Sequence, residues 1–592
     1  MHEFRIWAPR VKKMQLVLGD ETCPMEGPDE QGWWSLKVQK AEPGMDYAFR
    51  VDEDATPYPD PKSLWQAKGV HGPSRLYDQS AFAWSDERWD PPPLAAAVIY
   101  ELHIGTFSED GALDSAIAHL DHLVELGVTH VELMPVAEWA GRQGWGYDGV
   151  ALYAVHECYG GPDGFKRFVD ACHGKKLAVI LDVVYNHFGP VGNYTNKFAP
   201  YVTDQHKTPW GDAVNFEGPG SDEVRRFFCD NAAMWMRDYH VDGLRLDAVH
   251  TFIDRSAVNF MEQLSAEVEQ LSATVGRALV LIVESDLNDP KLVRPLEAGG
   301  YGMDAQWSDD FHHALFTLLH PGSLANSGLG YYGDFGTMEY LAKALEHVFV
   351  YDGMYSKYRR RSHGRPVEGL SAHHFICFVE DHDQVGNRAK GERLERLVGM
   401  DATKVALGLV LTSPYIPMLF MGEEFAASSP FLYFADHDDE EMARQVSEGR
   451  KREFAAFGFG ENEVLDPEDP QTFEDSKLKW SEVHEGKHAE MLEWTRALIG
   501  LRRSTKDLND GDIRHMKVAF DEEKRWLTMQ RGRVRTLMNI GDEMVRLKTW
   551  EGEGLRLGSR PEVVMEGAEV VLPGMSLAVM MVEGGDDVGR AG

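Results

Sequence analysis

Basic charge is scarce in this chain: 96 aspartates and glutamates face 60 lysines and arginines, a formal net charge of -36. Nucleic acid and anionic membranes need a basic face, so neither is expected as a partner, whereas a neutral sugar fits this balance. Long apolar runs are missing too. No uninterrupted stretch approaches the ~20 residues that cross a bilayer, and the opening MHEFRIWAP holds no apolar core of a secretory signal. Cysteine is sparse: Cys23, Cys158, Cys172, Cys229 and Cys377 are scattered, odd in number and without CxxC spacing. A disulfide framework and a zinc site are therefore not expected, and the thiols suit a reducing cytoplasm. HxH and HExxH spacings are absent at strand ends, and the neighbours His312 and His313 diverge on any regular element. Asn186 and the segment after it show no oxygen-ligand cluster for calcium. No metal and no other cofactor is expected.

What the chain does have is 43% hydrophobic residues arranged in punctuated runs. Residues 1–93 read as short alternating strands, at 4–7, 14–18, 33–37 and 47–51, separated by Gly-, Pro- and Asp-rich turns. That pattern predicts a small β-sandwich, closed by the stiff linker Trp89-Asp90-Pro91-Pro92-Pro93. From 94 to 505, apolar runs alternate with amphipathic helical stretches. Eight strand candidates stand at 98–103, 130–136, 177–184, 243–248, 278–284, 302–307, 375–379 and 416–421. The fold class this predicts is α/β, a (β/α)8 barrel with an N-terminal β-sandwich and a C-terminal β domain over 510–592. Insertions are expected at about 187–220, overhanging the barrel mouth, and at 435–479; the last residues are polar and expected to fray.

Four of the barrel strands end in acidic motifs: LAVILDVVYNH (177–187), GLRLDAVH (243–250), ALVLIVES (278–285) and FICFVEDHD (375–383). Strands buried on both faces read as unbroken apolar runs, and polar residues at their C-terminal ends converge on one mouth. That mouth collects Asp182, Asn186, His187, Arg245, Asp247, His250, Glu284, His382 and Asp383. Retaining glycoside hydrolysis needs one carboxylate to attack and a second carboxyl to protonate the leaving oxygen. Alternation puts Arg245 and Asp247 on one strand face, where the arginine would keep the aspartate ionised as a nucleophile. Glu284 leaves an apolar run, and desolvation there suits a general acid. His187 and His382 could donate to sugar hydroxyls, and Asp383 could accept from two. Trp145, Tyr147, Trp210 and Trp307 offer flat faces to a sugar ring, although Trp307 reads equally as core, and Trp33 and Trp34 as packing.

These four motifs, in this order, resemble the signature regions of the α-amylase superfamily (glycoside hydrolase family 13). The resemblance implies Asp247 as nucleophile, Glu284 as acid/base and Asp383 as transition-state stabiliser. It implies substrate-binding roles for Arg245, His187, His250 and His382, and for Tyr147 and Asp148 of the WGYDG segment, Tyr147 by stacking on the sugar. FRIWAP (4–9), GVHGPS (69–74), YELHIGTF (100–107), TPWGDAVNFEGPGSDEVRRF (208–227), ESDLNDP (284–290) and DAQWSDDFHHAL (304–315) are similar to segments of the maltooligosyltrehalose trehalohydrolases within it. That narrower resemblance implies cleavage of the α-1,4 bond beside a terminal trehalose unit. It also implies maltooligosyl trehalose as substrate and a maltooligosyl trehalose synthase as functional partner. A branching enzyme shares the sandwich and the WGY motif, so transfer is the alternative reading. A non-catalytic glucan-binding barrel would have lost a carboxylate, and all three are present. One departure stands out: Asp381 occupies a position where such proteins usually carry asparagine. It is expected to point away into solvent or, failing that, to raise the pKa of Asp383.

Overall fold

The computed structural model describes residues 1–320, 322, 330–455 and 464–582. The expected polar tail lies outside them. All eight strand candidates form one closed parallel barrel. They are β1 (Ile99–Leu102), β2 (His130–Leu133), β3 (Ala178–Val183), β4 (Gly243–Leu246), β5 (Val280–Val283), β6 (Ala305–Trp307), β7 (Phe375–Cys377) and β8 (Ile416–Phe420). Each is shorter than its apolar run, and at β3, β4, β5 and β7 the run's last residues turn out of the ladder and become the mouth. The register sets neighbours that matter below: Glu101 on β1 pairs with Glu132 on β2, and Asp182 on β3 with Arg245 on β4.

At the N-terminal end, His2–Trp7 pairs with Trp33–Val38. A four-stranded sheet runs Glu21–Pro24, Met14–Leu18, Asp46–Val51, Ser74–Arg75. Trp34 is packing, as one reading allowed, with its Nε1–H donating to the Ala8 carbonyl at 3.2 Å. The C-terminal end is a five-stranded antiparallel sheet, with Ser576–Val582 between Val534–Asn539 and Glu553–Gly558, beside a three-stranded one. The segment 187–220 is not all loop, since it contains the hairpin Val202–Thr208 and Gly211–Val214. Polar side chains along Val202–Thr208 leave no apolar alternation, which is why this hairpin has no strand signature. Among the described residues, no helix is long and apolar enough to cross a membrane.

The segment leading into the proline linker is gripped at the opposite end of the barrel from the mouth. His173 Nδ1 meets Asp86 at 2.7 Å and its Nε2 meets Asp242 at 3.0 Å. The Trp89 ring lies flat on His173, with centroids 4.4 Å apart, and Trp84 lies on His240 at 3.8 Å. Burial pulls the His173 imidazole down, but the carboxylates on its two nitrogens outweigh that and hold it above its ordinary value. A raised histidine stabilises the fold fully below its unfolded pKa of about 6.5 and loses that contribution as pH rises through its folded value. His173→Gln is therefore expected to lower unfolding free energy by about 3 kcal/mol at pH 6. In urea titrations the deficit should shrink by pH 9; a constant deficit would contradict this account.

Candidate active site

Arg245 organises the mouth. It is buried on β4, and its guanidinium reaches three carboxylates from three successive strand ends. Nη1 donates to Asp182 Oδ2 at 2.7 Å and to Asp247 Oδ1 at 2.8 Å, and Nη2 donates to Glu284 Oε2 at 2.8 Å. Below it the Trp307 ring lies 4.3 Å from the guanidinium carbon. Trp307 is thus core, as one reading allowed, and its face serves a cation. The arginine expected to serve Asp247 also bridges to Glu284.

Each working carboxylate has a second anchor. Asp247 Oδ2 accepts from Asn186 Nδ2 at 2.6 Å, and the same amide donates to the Asp247 carbonyl at 3.1 Å. Glu284 Oε2 accepts from the Ala248 backbone N–H at 3.0 Å. Ala248 adopts φ +41°, a left-handed conformation that a β-carbon disfavours, at the turn that delivers this donor. The apolar run before Glu284 does not seal its carboxyl: the side chain is 19% exposed and Oε2 holds two donors. Oε1 keeps no hydrogen bond among the described residues, so it is the oxygen open to a leaving group.

A second arm of hydrogen bonds runs across the barrel. Tyr147 donates its hydroxyl to Asp182 Oδ2 at 2.7 Å and meets His382 Nε2 at 2.8 Å, with the two rings stacked 5.2 Å apart. His382 Nδ1 in turn meets Glu101 Oε1 at 2.5 Å, and the His382 backbone N–H donates to Glu101 Oε2 at 3.0 Å. Burial pushes the Asp182 carboxyl up to about 7 against the pull of Arg245. Burial lowers His382, yet the Glu101 carboxylate overrides it and lifts the imidazole to about 10. Glu132, beneath, has both side-chain oxygens buried without a partner. Burial first, then the charge of Glu101, drives its carboxyl well above the ordinary range.

Asp383 opens the short helix His382–Gly386 and stays solvent-exposed, with Oδ1 accepting from Asn387 Nδ2 at 2.8 Å. Although its surface is open, the mass of the cleft pushes its carboxyl up, and Glu284's charge adds to this while His382 opposes it. The expectation for Asp381 is corrected: it is buried, not solvated. Its carboxylate caps that helix, accepting from the Gln384 N–H at 2.6 Å. Asparagine caps a helix as well as aspartate does, so either residue suits this position. Asp381→Asn is expected to keep kcat/KM within about threefold, with unchanged products in a chromatographic assay. Loss of activity would make the charge itself essential.

The remaining expected residues stand around this core. His187 lies in the same turn, with Nδ1 bonded to Asn186 Oδ1 and its ring stacked on the exposed Trp210 at 5.0 Å. Asp148 faces His187 and His437, and burial raises its carboxyl against their opposing charge. Gly189 lets Asp148 sit so close, since a Cβ there would stand 2.0 Å from the Asp148 carbonyl oxygen. His250 is peripheral: its Nδ1 accepts from the Asp286 N–H at 3.4 Å. Trp145 is not a sugar platform. It is buried behind His382, edge-on at 5.5 Å, and its Nε1–H donates to the Leu432 carbonyl at 2.9 Å. A Cβ on Gly386 would meet that indole at 2.1 Å.

Glu101 and Glu132 were not among the expected residues. A signal was present: both are carboxylates inside apolar barrel strands, the same pattern that marked the other four strand ends. A cavity of about 420 Å³ lies elsewhere, between His2–Trp7 and Ser221–Asp238, and none of these residues lines it.

A closed parallel barrel whose mouth gathers three carboxylates, Asp247 and Glu284 among them, on one arginine fork is the arrangement of an α-amylase-type glycosidase. Comparison with known proteins agrees. The family model described as alpha amylase, catalytic domain, matches residues 77–210. The crystal structure of a Salmonella typhimurium protein described as "Putative alpha Amylase" superposes with a TM-score of 0.89 at 36% identity, covering 98% of this chain and 97% of that one. Malto-oligosyltrehalose trehalohydrolase from Rhizobium sp. (strain M-11) is 45% identical over 98% of this chain and 97% of its own length. A 1,4-alpha-glucan branching enzyme from Bacillus caldolyticus is more distant, 27% identical over 81% of this chain and 73% of its own. The chain belongs to the malto-oligosyltrehalose trehalohydrolase family.

Proposed function

We propose that the protein hydrolyses, with retention, the α-1,4-glucosidic bond next to the terminal trehalose unit of maltooligosyl trehalose. The observation that carries this reading is the Arg245 fork, which holds Asp247 and Glu284 side by side in a chain so similar to trehalohydrolases. Asp247 attacks the anomeric carbon as Glu284 gives its proton to the glycosidic oxygen, and trehalose leaves. A glucosyl ester on Asp247 results. Glu284, now a carboxylate, takes a proton from water; the water oxygen displaces Asp247 and the maltooligosaccharide departs. Asp383 faces the oxocarbenium-like transition state as its stabiliser. Arg245 and Asn186 orient the nucleophile without occupying every lone pair on its oxygens. Tyr147, His187 and His382 flank the sugar, with Asp148 and His250 at its edge.

On this reading the enzyme works in the cytoplasm beside a synthase that builds its substrate. The five cysteines, all unpaired, support a reducing compartment. Incubation with maltooligosyl trehalose tests the function: free trehalose is expected. New α-1,6 branches on amylose, without trehalose release, would favour transfer and overturn it.

A further inference from the structure

We propose that Glu101 is a positioning residue for this reaction: it holds His382 as a doubly protonated imidazolium whose Nε2–H is donated to Tyr147 at the barrel mouth. The inference rests on the proposed hydrolysis for its catalytic meaning, but its structural half stands alone. The hydrogen inventory carries it. At pH 8, above the value of about 7 to which burial pushes Asp182, that carboxyl is ionised and takes the Tyr147 hydroxyl proton, so the Tyr147 oxygen can only accept from His382 Nε2. Glu101 Oε1, 2.5 Å from Nδ1, is an acceptor, and its other oxygen already takes the His382 backbone N–H. Both ring nitrogens must therefore carry hydrogen, which is the cation.

The pairing has a chemical purpose. A neutral histidine has one donor and one acceptor, and its tautomer can flip; the imidazolium has two donors and no ambiguity. A lone cation beside an oxocarbenium-like transition state would oppose it. Glu101 cancels that charge from behind, so the pair supplies a charge-assisted donor while remaining neutral overall. Every charged group packed on His382 bears on this state. Asp381 and Asp383 on its own segment favour the cation, as does Glu101 on β1. Asp182 on β3 is reached through Tyr147. Arg245 on β4 opposes it, His103 after β1 is held by burial at about 3 and so brings no positive charge, and burial drives the Glu132 carboxyl on β2 well above the ordinary range. The arrangement also explains why Glu132 and Glu101, paired in register, differ: only Glu101 has donors.

The test uses Glu101→Gln in the full-length protein. Without the carboxylate, His382 reverts toward an ordinary pKa of about 6.5, which leaves roughly one molecule in 30 cationic at pH 8. The expected result is a kcat/KM about 30-fold below wild type at pH 8, with the gap closing toward pH 5.5. Glu101→Asp should recover much of the alkaline loss. A loss independent of pH, or none, would overturn the proposal. Should the variant fail to fold, ¹⁵N-histidine NMR of the wild type decides. His382, assigned by its absence in His382→Asn, is expected to show two protonated ring nitrogens at pH 8, and a neutral ring there would overturn it. The NMR reading needs no substrate, so it survives a failure of the proposed hydrolysis and the two outcomes stay distinguishable.

Discussion

Asp247→Ala is expected to lower kcat/KM for trehalose release by at least about 10⁴-fold, while the fold survives. The attacking oxygen is gone, and no neighbour replaces it: Asp182 is turned to Tyr147 and Arg245, and Glu284 to Arg245 and Ala248. Nucleophiles that act as a unit with their partners lose nearly all of the unit's contribution when removed. Glu284→Gln is expected to differ in kind. General acid catalysis contributes on the order of 10²–10⁴-fold, and its worth depends on how badly the leaving group needs a proton. On an activated aryl glycoside the Glu284→Gln loss in the first step should shrink sharply, whereas the Asp247→Ala loss should persist. Steady-state kinetics on both substrates check this, and an Asp247→Ala enzyme near wild-type rate would overturn the assignment of roles.

Arg245→Lys is the second large effect. A lysine ammonium is a compact point charge and cannot reproduce a planar fork that reaches Asp182, Asp247 and Glu284 at once. Asp182 is buried, so losing the guanidinium leaves its carboxyl with only the Tyr147 hydroxyl as a partner. Breaking a buried pair costs roughly 3–5 kcal/mol, and the stacked Trp307 face loses its planar partner. The expected outcome is a fall in kcat of about 10²–10³-fold together with a lower urea midpoint. KM should change less than kcat, because the arginine touches the catalytic carboxylates rather than the bulk of the substrate. A variant with wild-type kcat would show that the fork is structural only.

The barrel was readable from sequence because two-face burial leaves an unmistakable signature: eight apolar runs, four of them ending in acidic motifs, became eight strands. The mouth was readable for the same reason. Arg245 and Asp247, two residues apart on one strand, had to share a face, and they meet at 2.8 Å. Contacts between distant segments were not readable. Nothing in the local pattern tells that Glu101 meets His382, 281 positions away. Asp381 illustrates a different gap. Its place within an acidic run suggested solvent, but a helix beginning at His382 turned it into a buried cap, and a five-residue helix has no periodicity to announce itself. The hairpin at 202–214 escaped because its first strand is polar on both faces.

The grip on His173 has a mechanical consequence. A connector of three prolines is a rod, and a rod clamped beside its origin transmits displacement rather than absorbing it. Further fastenings join the first sheets to the barrel, Lys62 to Asp230 at 2.8 Å and Trp65 to Glu157 at 2.7 Å. The leading 80 or so residues are thus bolted to the barrel. Any glucan they touch is held at a fixed distance and bearing from the scissile bond, as a workpiece is held by a jig.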